Sequence, residues 1–560
     1  PSQRESIRRM LAERSKKSLS RVIGIAAIEV LLFIISLIPP LFEKLSIETS
    51  LFSNETAVSI IGIILLVVAG GLYADKLKYG FETLFGLKPT AESAVSVACV
   101  TALIQAVYAA VTGSNAFCVA ALALILVSSA ADMLDNKRIL DNFAVCAFKY
   151  ENASFAVHTL ENEAEKFEIG RGILMGNPSI LYSSAVAFPE KFIEKSRENP
   201  VDPSYSSASV FAAAGLSILA AVICGFKLHS FSQAFGAFAC AFCCAGGIVL
   251  KFMPSFALYN ANRKLNAHGT MITSIPVADN IKQANAVAVD AENIFDLSQC
   301  TMHGMKDFKN MRIDDVLLYA AAVVIRSGGP LKESFRSVID GQEDLLPSVK
   351  ELVYEDKMGI TGRIADQKVL LGNRNMLIHH NIEIPSEKYE AKYSKGGRKV
   401  IYLACNGKLC ALFVVSYKAD KKIGQQLKEL EKNGISLLVR TNDVNITEGF
   451  IAKTFGINKS NIKVLSSVAS RLYKRRKEAL TEKLPAGIIH SGSAYTMLSA
   501  VTESCRLSSR SKLSFGISLA LSVIGGIITA MMLTGNVGAF AGTLATIFIF
   551  ASSLISSLVS

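Results

Sequence analysis

An aspartate that closes an apolar, β-rich run is the most informative candidate in this chain for covalent chemistry. Asp290 follows Ala286-Val287-Ala288-Val289, and Thr441 follows the similar run 436–440. Ligands of α/β sheets bind beyond the carboxyl ends of the strands, so two such ends predict one shared ligand site. A carboxylate there is a candidate nucleophile for phosphoryl transfer. That reaction also needs a divalent cation to neutralise charge and donors around the equatorial oxygens. A second candidate lies in an apolar span, where Cys240 and Cys244 share one helix face and Cys243 is beside them. Thiolates suit soft metals, although small residues in Ala- and Gly-rich spans serve close helix packing equally well.

The elements that must position these residues are membrane helices and an α/β block. The 560 residues are 51% hydrophobic, too apolar for an ordinary soluble enzyme, yet a charged block interrupts them. Runs of about 20 apolar residues mark bilayer-crossing helices. Eight are expected, at 22–42, 56–74, 92–112, 115–132, 207–226, 231–253, 513–533 and 537–558. The first is too long, and too poorly followed by a cleavage site, for a removable signal peptide. Arg4, Arg8, Arg9, Arg14, Lys16, Lys17 and Arg21 place the N-terminus in the cytoplasm by the positive-inside rule. Eight crossings then bring the C-terminus and the soluble blocks 133–206 and 254–512 to the same side. The turns at 112–115 and 534–536 fall outside. The net charge of +12 reads as topology and attraction to anionic lipid rather than nucleic-acid binding. Eleven cysteines without regular pairing fit a reducing compartment.

Within the large block, β-rich runs at 286–289, 400–404, 411–415, 436–440 and 486–489 alternate with helical patterns such as 420–433 and 466–482. Alternation of this kind predicts a parallel sheet with crossover helices.

Five stretches in order carry a family resemblance. Gly269-Thr270-Met271-Ile272 and the run to Asp290 are similar to a Gly-Val-Leu-Ile lead into a phosphorylated aspartate. Ser327-Gly328-Gly329-Pro330-Leu331 stands where Ser-Glu-His-Pro-Leu is expected, and Gly359-Ile360-Thr361-Gly362 with Gly372-Asn373 resembles a nucleotide-domain glycine motif. The turn Lys395-Gly396-Gly397-Arg398-Lys399 leads into two strands joined at Asn406-Gly407, and Thr441-Asn442-Asp443 resembles Thr-Gly-Asp. On these residues the chain resembles the P-type ATPase superfamily, most nearly its heavy-metal (type IB) cation pumps. The resemblance covers most of 207–560 and only loosely the first 206 residues.

It implies a polytopic α-helical membrane protein with a cytosolic α/β haloacid-dehalogenase-like phosphorylation domain and an α+β nucleotide-type domain. The expected division is a four-helix membrane region 1–132, a small insert 133–206 in the actuator position and a membrane hairpin 207–253. The phosphorylation domain follows at 254–300 and 416–512, interrupted by a nucleotide-domain-like insert 301–415, and a membrane hairpin 513–560 ends the chain. The resemblance makes Asp290 the phosphorylation site, with Thr441, Asp443 and Lys474 as phosphate-facing partners. Gly359, Gly362, Gly372 and Asn373 become what remains of a nucleotide site; isolated glycines of this kind are also ordinary turns.

The departures are as informative. Asp290 is followed by Ala291-Glu292-Asn293 in place of Lys-Thr-Gly. His490-Ser491-Gly492-Ser493-Ala494-Tyr495 replaces the magnesium motif Gly-Asp-Gly-x-Asn-Asp and carries no carboxylate, which leaves magnesium without its oxygen cage. The first insert has no Thr-Gly-Glu to position a hydrolytic water. Ala245-Gly246-Gly247 stands where Cys-Pro-Cys is expected, Ile549 replaces a methionine, and Ser552-Ser553 is retained. Losing three parts of the cycle together implies a pseudoenzyme with a regulatory, sensory or structural role. The alternatives are a divergent active pump, using ATP and magnesium, with Glu292 or Asp443 helping to hold the metal, and a passive soft-metal binder using Cys240, Cys243 and Cys244. Expected partners are the bilayer, another protein and a soft metal ion, with no nucleic acid, and the expected location is a bacterial plasma membrane. His379-His380 reads as an exposed pair, Cys405 and Cys410 as cross-strand packing, and Lys474-Arg475-Arg476-Lys477 as a solvated helix face.

Overall fold

The computed structural model describes residues 2–45, 55–148, 154–199, 203–245, 248–534 and 540–559. Seven of its helices are long and apolar enough to cross a membrane. They lie within Arg4–Ile38, Glu55–Leu72, Ala91–Thr112, Cys118–Ala147, Ser204–Leu228, Ala494–Thr534 and Ala541–Val559. The span expected at 231–253 differs: Phe231–Ala245 is a shorter apolar helix, and Ile248–Asn266 follows as a second. Gly246 and Gly247, at the Cys-Pro-Cys position, lie outside the described residues, as do Gly535 and Asn536 of the last expected turn. Two helices run past their expected ends. Cys118–Phe148 extends 16 residues beyond 132, and Ala494–Thr534 begins at the magnesium-motif position and enters the apolar region without a break. Each runs without interruption from the apolar region into the sheet-containing block.

The cytosolic block contains two sheets. Their strands are β1 (Ser154–Thr159), β2 (Ile180–Glu190), β3 (Met271–Ile272), β4 (Ala286–Asp290), β5 (Thr301–Asp307), β6 (Val349–Glu355), β7 (Gly359–Ile364), β8 (Gln367–Gly372), β9 (Lys399–Cys405), β10 (Lys408–Ser416), β11 (Ser436–Arg440), β12 (Ile462–Val464), β13 (Thr481–Pro485) and β14 (Ile488–His490). The strands at 400–404 and 411–415, read from sequence with the parallel set, instead form β9 and β10 of a six-stranded antiparallel sheet ordered β5-β10-β9-β8-β7-β6. They are joined by a tight turn at Asn406-Gly407, with φ of +46° and +78°, the backbone that Asn-Gly favours.

The other sheet has eight strands in the order β12-β11-β4-β2-β1-β14-β3, with β13 on β2. β4 and β11 are parallel, as expected, and β12 adds a further parallel strand, whereas the run at 486–489, read with the parallel set, forms β14 and pairs antiparallel with β1 and β3. The first insert does not stand apart as a domain of its own. Its β2 pairs parallel to β4, with Ile180 beside Ala286 and Leu181 beside Val287, and its β1 pairs with β14. Alternation explains the fit. Ile180, Ala286, Ala288 and Leu438 enter one core with Tyr473, while Leu181, Val287, Val289 and Leu437 enter the core on the opposite face. Asn285 sets the register: its side-chain oxygen accepts from the Ser179 amide at 2.9 Å, and its own amide donates to the Ser179 carbonyl at 2.9 Å.

Candidate functional site

Asp290 ends β4 directly beside Arg440, the last residue of β11. The aspartate is only 2% exposed, and both of its carboxylate oxygens are already held. Oδ1 accepts from Arg440 Nε and Oδ2 from Lys477 Nζ. Lys477 belongs to helix Ser467–Glu478. Tyr473 of that helix donates to the Ala288 carbonyl at 3.3 Å, so its face points at β4, and Lys477 lies one turn further along the same face. Lys474 therefore does not contact Asp290; it pairs with Glu478 at 3.6 Å and lines the cavity above. The cationic run is in part the expected solvated face, with Lys474 and Arg475 more than half exposed, but it also holds two buried carboxylates. Arg475 and Arg476 grip the buried Glu165 of the first insert at 2.9 and 2.7 Å, while Lys477 takes Asp290.

Thr441 turns its hydroxyl back to accept from the Asp443 amide at 2.9 Å. Asp443 faces away from Asp290. It accepts from the Tyr417 hydroxyl at 2.6 Å and from the Asn445 amide at 3.0 Å. Burial pushes its carboxyl up from 3.8 to about 6, against the opposing pull of the Tyr417 hydrogen bond. A group whose pKa is raised by folding adds stability at low pH and loses it as pH rises through the folded value. The protein is thus expected to be less stable at pH 7 than at pH 5 by about 1.3 kcal/mol from this group. Unfolding of wild type and Asp443→Asn across that range checks it, and an equal pH slope in both would remove the assignment.

A cavity of about 670 Å³ lies over Asp290, between the eight-stranded sheet and the antiparallel one. Arg326, Lys332, Arg440, Arg471 and Lys474 line it, against Asp290, Glu292 and Glu478. Its two walls are tied together. Glu292 Oε2 accepts from the Gly329 amide at 3.3 Å, Asn442 donates to the Ser327 carbonyl at 2.8 Å, and Asp356 accepts from the Ser467 amide at 2.7 Å. Gly328 and Gly329 have φ of +76° and +113°, a turn that opposes any side chain at the position of the expected histidine.

The glycines read as a nucleotide motif do not line this cavity. Gly359 and Gly372 face each other across β7 and β8, and a Cβ on Gly359 would lie 2.5 Å from the Gly372 Cα and 2.7 Å from Met376 Sδ. Gly362 likewise faces Val349, whose Cγ1 would be 3.0 Å from an added Cβ. Asn373 caps helix Arg374–His379 by accepting from the Met376 amide at 3.2 Å and donates to the Lys357 carbonyl at 2.9 Å. All four therefore hold the antiparallel sheet together.

Magnesium does not fit the residues present. The Asp290 oxygens are occupied, Asp443 is turned away, and Glu292 serves the Gly329 amide. Ser491, at the lost aspartate position, follows β14, which β2 and β1 separate from β4. Three strand spacings amount to about 14 Å, whereas magnesium ligands lie at about 2 Å from the ion. His490, also in that motif, is fully buried and accepts from the Gly492 amide at Nδ1 (3.1 Å), which leaves Nε2–H to meet Ser183 Oγ at 2.9 Å. Burial, with His158 nearby, pushes it down to about 3, so it is a neutral structural group.

In the membrane region Cys240 and Cys243 are fully buried and share a core with Cys99 and Cys118, which sequence reasoning missed because they come from two other helices. Among the described residues no group of three His, Cys, Asp or Glu side chains converges as a metal site. A Cβ on Gly525 would lie 2.9 Å from the Cys244 Cβ, so the helices pack closely at this stretch. Ser553 back-bonds to the Ile549 carbonyl at 2.9 Å. His380 is not simply exposed, since Nε2 meets Glu355 Oε1 at 3.0 Å.

No protein-family model matches the chain. It is 23% identical over 210 residues to a silver-exporting P-type ATPase of Salmonella typhimurium, covering 37% of this chain and 26% of that protein. It is 24% identical over 213 residues to a copper-exporting P-type ATPase of Legionella pneumophila, covering 38% of this chain and 28% of that protein. The matched segment thus spans about a quarter of the length of these relatives. A crystal structure of a zinc-transporting PIB-type ATPase in the E2.Pi state aligns over 96% of this chain and 99% of its own, at 13% identity and a TM-score of 0.43.

Proposed function

We propose that this chain, a relative of the heavy-metal branch of the P-type ATPase superfamily, is catalytically silent. It keeps the membrane helices and cytosolic sheets of a cation pump and does not phosphorylate Asp290. The observation that carries this reading is the carboxylate itself: both oxygens are engaged by Arg440 and Lys477. A nucleophile held this way must break two ion pairs before it can attack. The neighbouring carboxylates are also engaged, Glu292 by the Gly329 amide and Glu478 by Lys474, so magnesium, on which phosphoryl transfer depends, has no prepared oxygen cage beside Asp290. The remaining role is structural, regulatory or sensory in a bacterial plasma membrane, exerted through a protein partner, with both termini and both inserts in the cytoplasm.

Purified protein given radiolabelled ATP and magnesium is expected to form no hydroxylamine-sensitive acyl phosphate above the level of Asp290→Asn. A label present in the wild type and lost in that variant would overturn the reading and restore a pump.

A further inference from the structure

Among the described residues, a buried cluster of charge lies where helix Cys118–Phe148 leaves the apolar region for the sheet domain. Lys251, in helix Ile248–Asn266, is 7% exposed. Its Nζ lies 2.9 Å from Glu92 Oε1 and 2.9 Å from Asp132 Oδ1. It also donates to Ser128 Oγ at 3.2 Å and to the Tyr73 hydroxyl at 3.3 Å, and Tyr73 in turn donates to Asp132 Oδ2 at 2.7 Å. Tyr73 and Ser128 have no exposed surface. The ammonium is therefore ringed by four oxygens from three separate parts of the chain, two of them carboxylate oxygens. A cavity of about 620 Å³, lined in part by Glu92, Asp132 and Lys251, reaches the ring.

An oxygen-only set with two carboxylates and no thiolate is what a hard cation takes, and a soft one does not. The geometry points to a hard-cation site that the chain fills with its own Lys251 ammonium, a tethered cation that closes the cage of Glu92, Asp132, Tyr73 and Ser128 against calcium or manganese. While the lysine is in place, no mobile cation can occupy this junction, and a fixed positive charge there bars passage through it. The second cation nearby, Lys76, is 3.4 Å from Asp132 and 35% exposed, so it balances the cage from outside without filling it.

The test is equilibrium binding of calcium and manganese to the purified full chain in detergent. Wild type is expected to bind neither above the Glu92→Gln/Asp132→Asn variant. Lys251→Met is expected to take up one ion per chain, with affinity falling about tenfold or more when Asp132→Asn or Glu92→Gln is added. Lys251→Gln, which keeps a donor toward Tyr73 and Ser128, should behave in the same way. Lys76→Met should remain like wild type. A folded Lys251→Met that binds neither ion, or binding that survives loss of both carboxylates, overturns the proposal. If both lysine variants fold only with calcium or manganese present, the site is supported; if neither folds in any buffer, the cage does not accept a mobile cation and the proposal fails.

Discussion

Asp290→Ala is expected to destabilise the cytosolic block by about 3 kcal/mol, because breaking a buried ion pair by removing one partner leaves the other charges uncompensated. Arg440 and Lys477 are 21% and 28% exposed at the side chain, so partial rehydration keeps the loss from being larger. The effect should be nearly as large for Asp290→Asn, which keeps shape and loses charge. Removing all three charges together, as Asp290→Ala/Arg440→Leu/Lys477→Met, should cost less than Asp290→Ala alone, since no unpaired charge remains. Urea unfolding of the three proteins, with a surface change such as Asp366→Asn as control, makes the measurement. A carboxylate kept for chemistry would give the opposite pattern: Asp290→Asn would leave stability unchanged and affect only phosphorylation.

Glu165→Ala is expected to release the first insert from helix Ser467–Glu478. Glu165 is buried, and its oxygens accept from Arg475 at 2.9 Å and from Arg476 at 2.7 and 3.1 Å. Because Arg475 and Arg476 are 68% and 41% exposed at the side chain, solvent screening holds each of these charge-assisted bonds to about 1 kcal/mol. Hydrogen exchange should speed up in β1 and β2, whereas the antiparallel sheet stays protected. The contribution also depends on pH. Hydrogen bonding from Arg476, with Arg475 adding to it, holds the Glu165 carboxyl below its ordinary value of 4.5. Its stabilising effect is thus fully present at neutral pH and is lost as pH falls through the lowered folded value. Unchanged protection of β1 and β2 in the variant would show that apolar packing alone holds the insert.

On the proposed reading, an acidic group at a strand end is kept because cations hold it, and Arg440, in register beside Asp290, is one such partner. Strands β2 and β1 lie between Asp290 and the segment after β14.

Composition and local pattern by themselves determined the membrane class, the apolar strands ending at Asp290 and Arg440 and the Asn406-Gly407 hairpin. Each of these depends on residues close together in sequence, where periodicity and turn chemistry act directly. Only the tertiary structure decided that β1 and β2 enter the sheet beside β4 and β14, more than 100 residues away. The short strand β1 and the mixed polarity of β2 carry no sign of their neighbours. The choice of Lys477 over Lys474 likewise needed the phase of its helix, which Tyr473 sets by bonding to the Ala288 carbonyl. The Lys251 cage gathers residues from four parts of the chain, none of which forms a motif alone. Strand neighbours and ion partners are settled by long-range packing, so a single stretch of sequence shows that a charge is present without showing what will neutralise it.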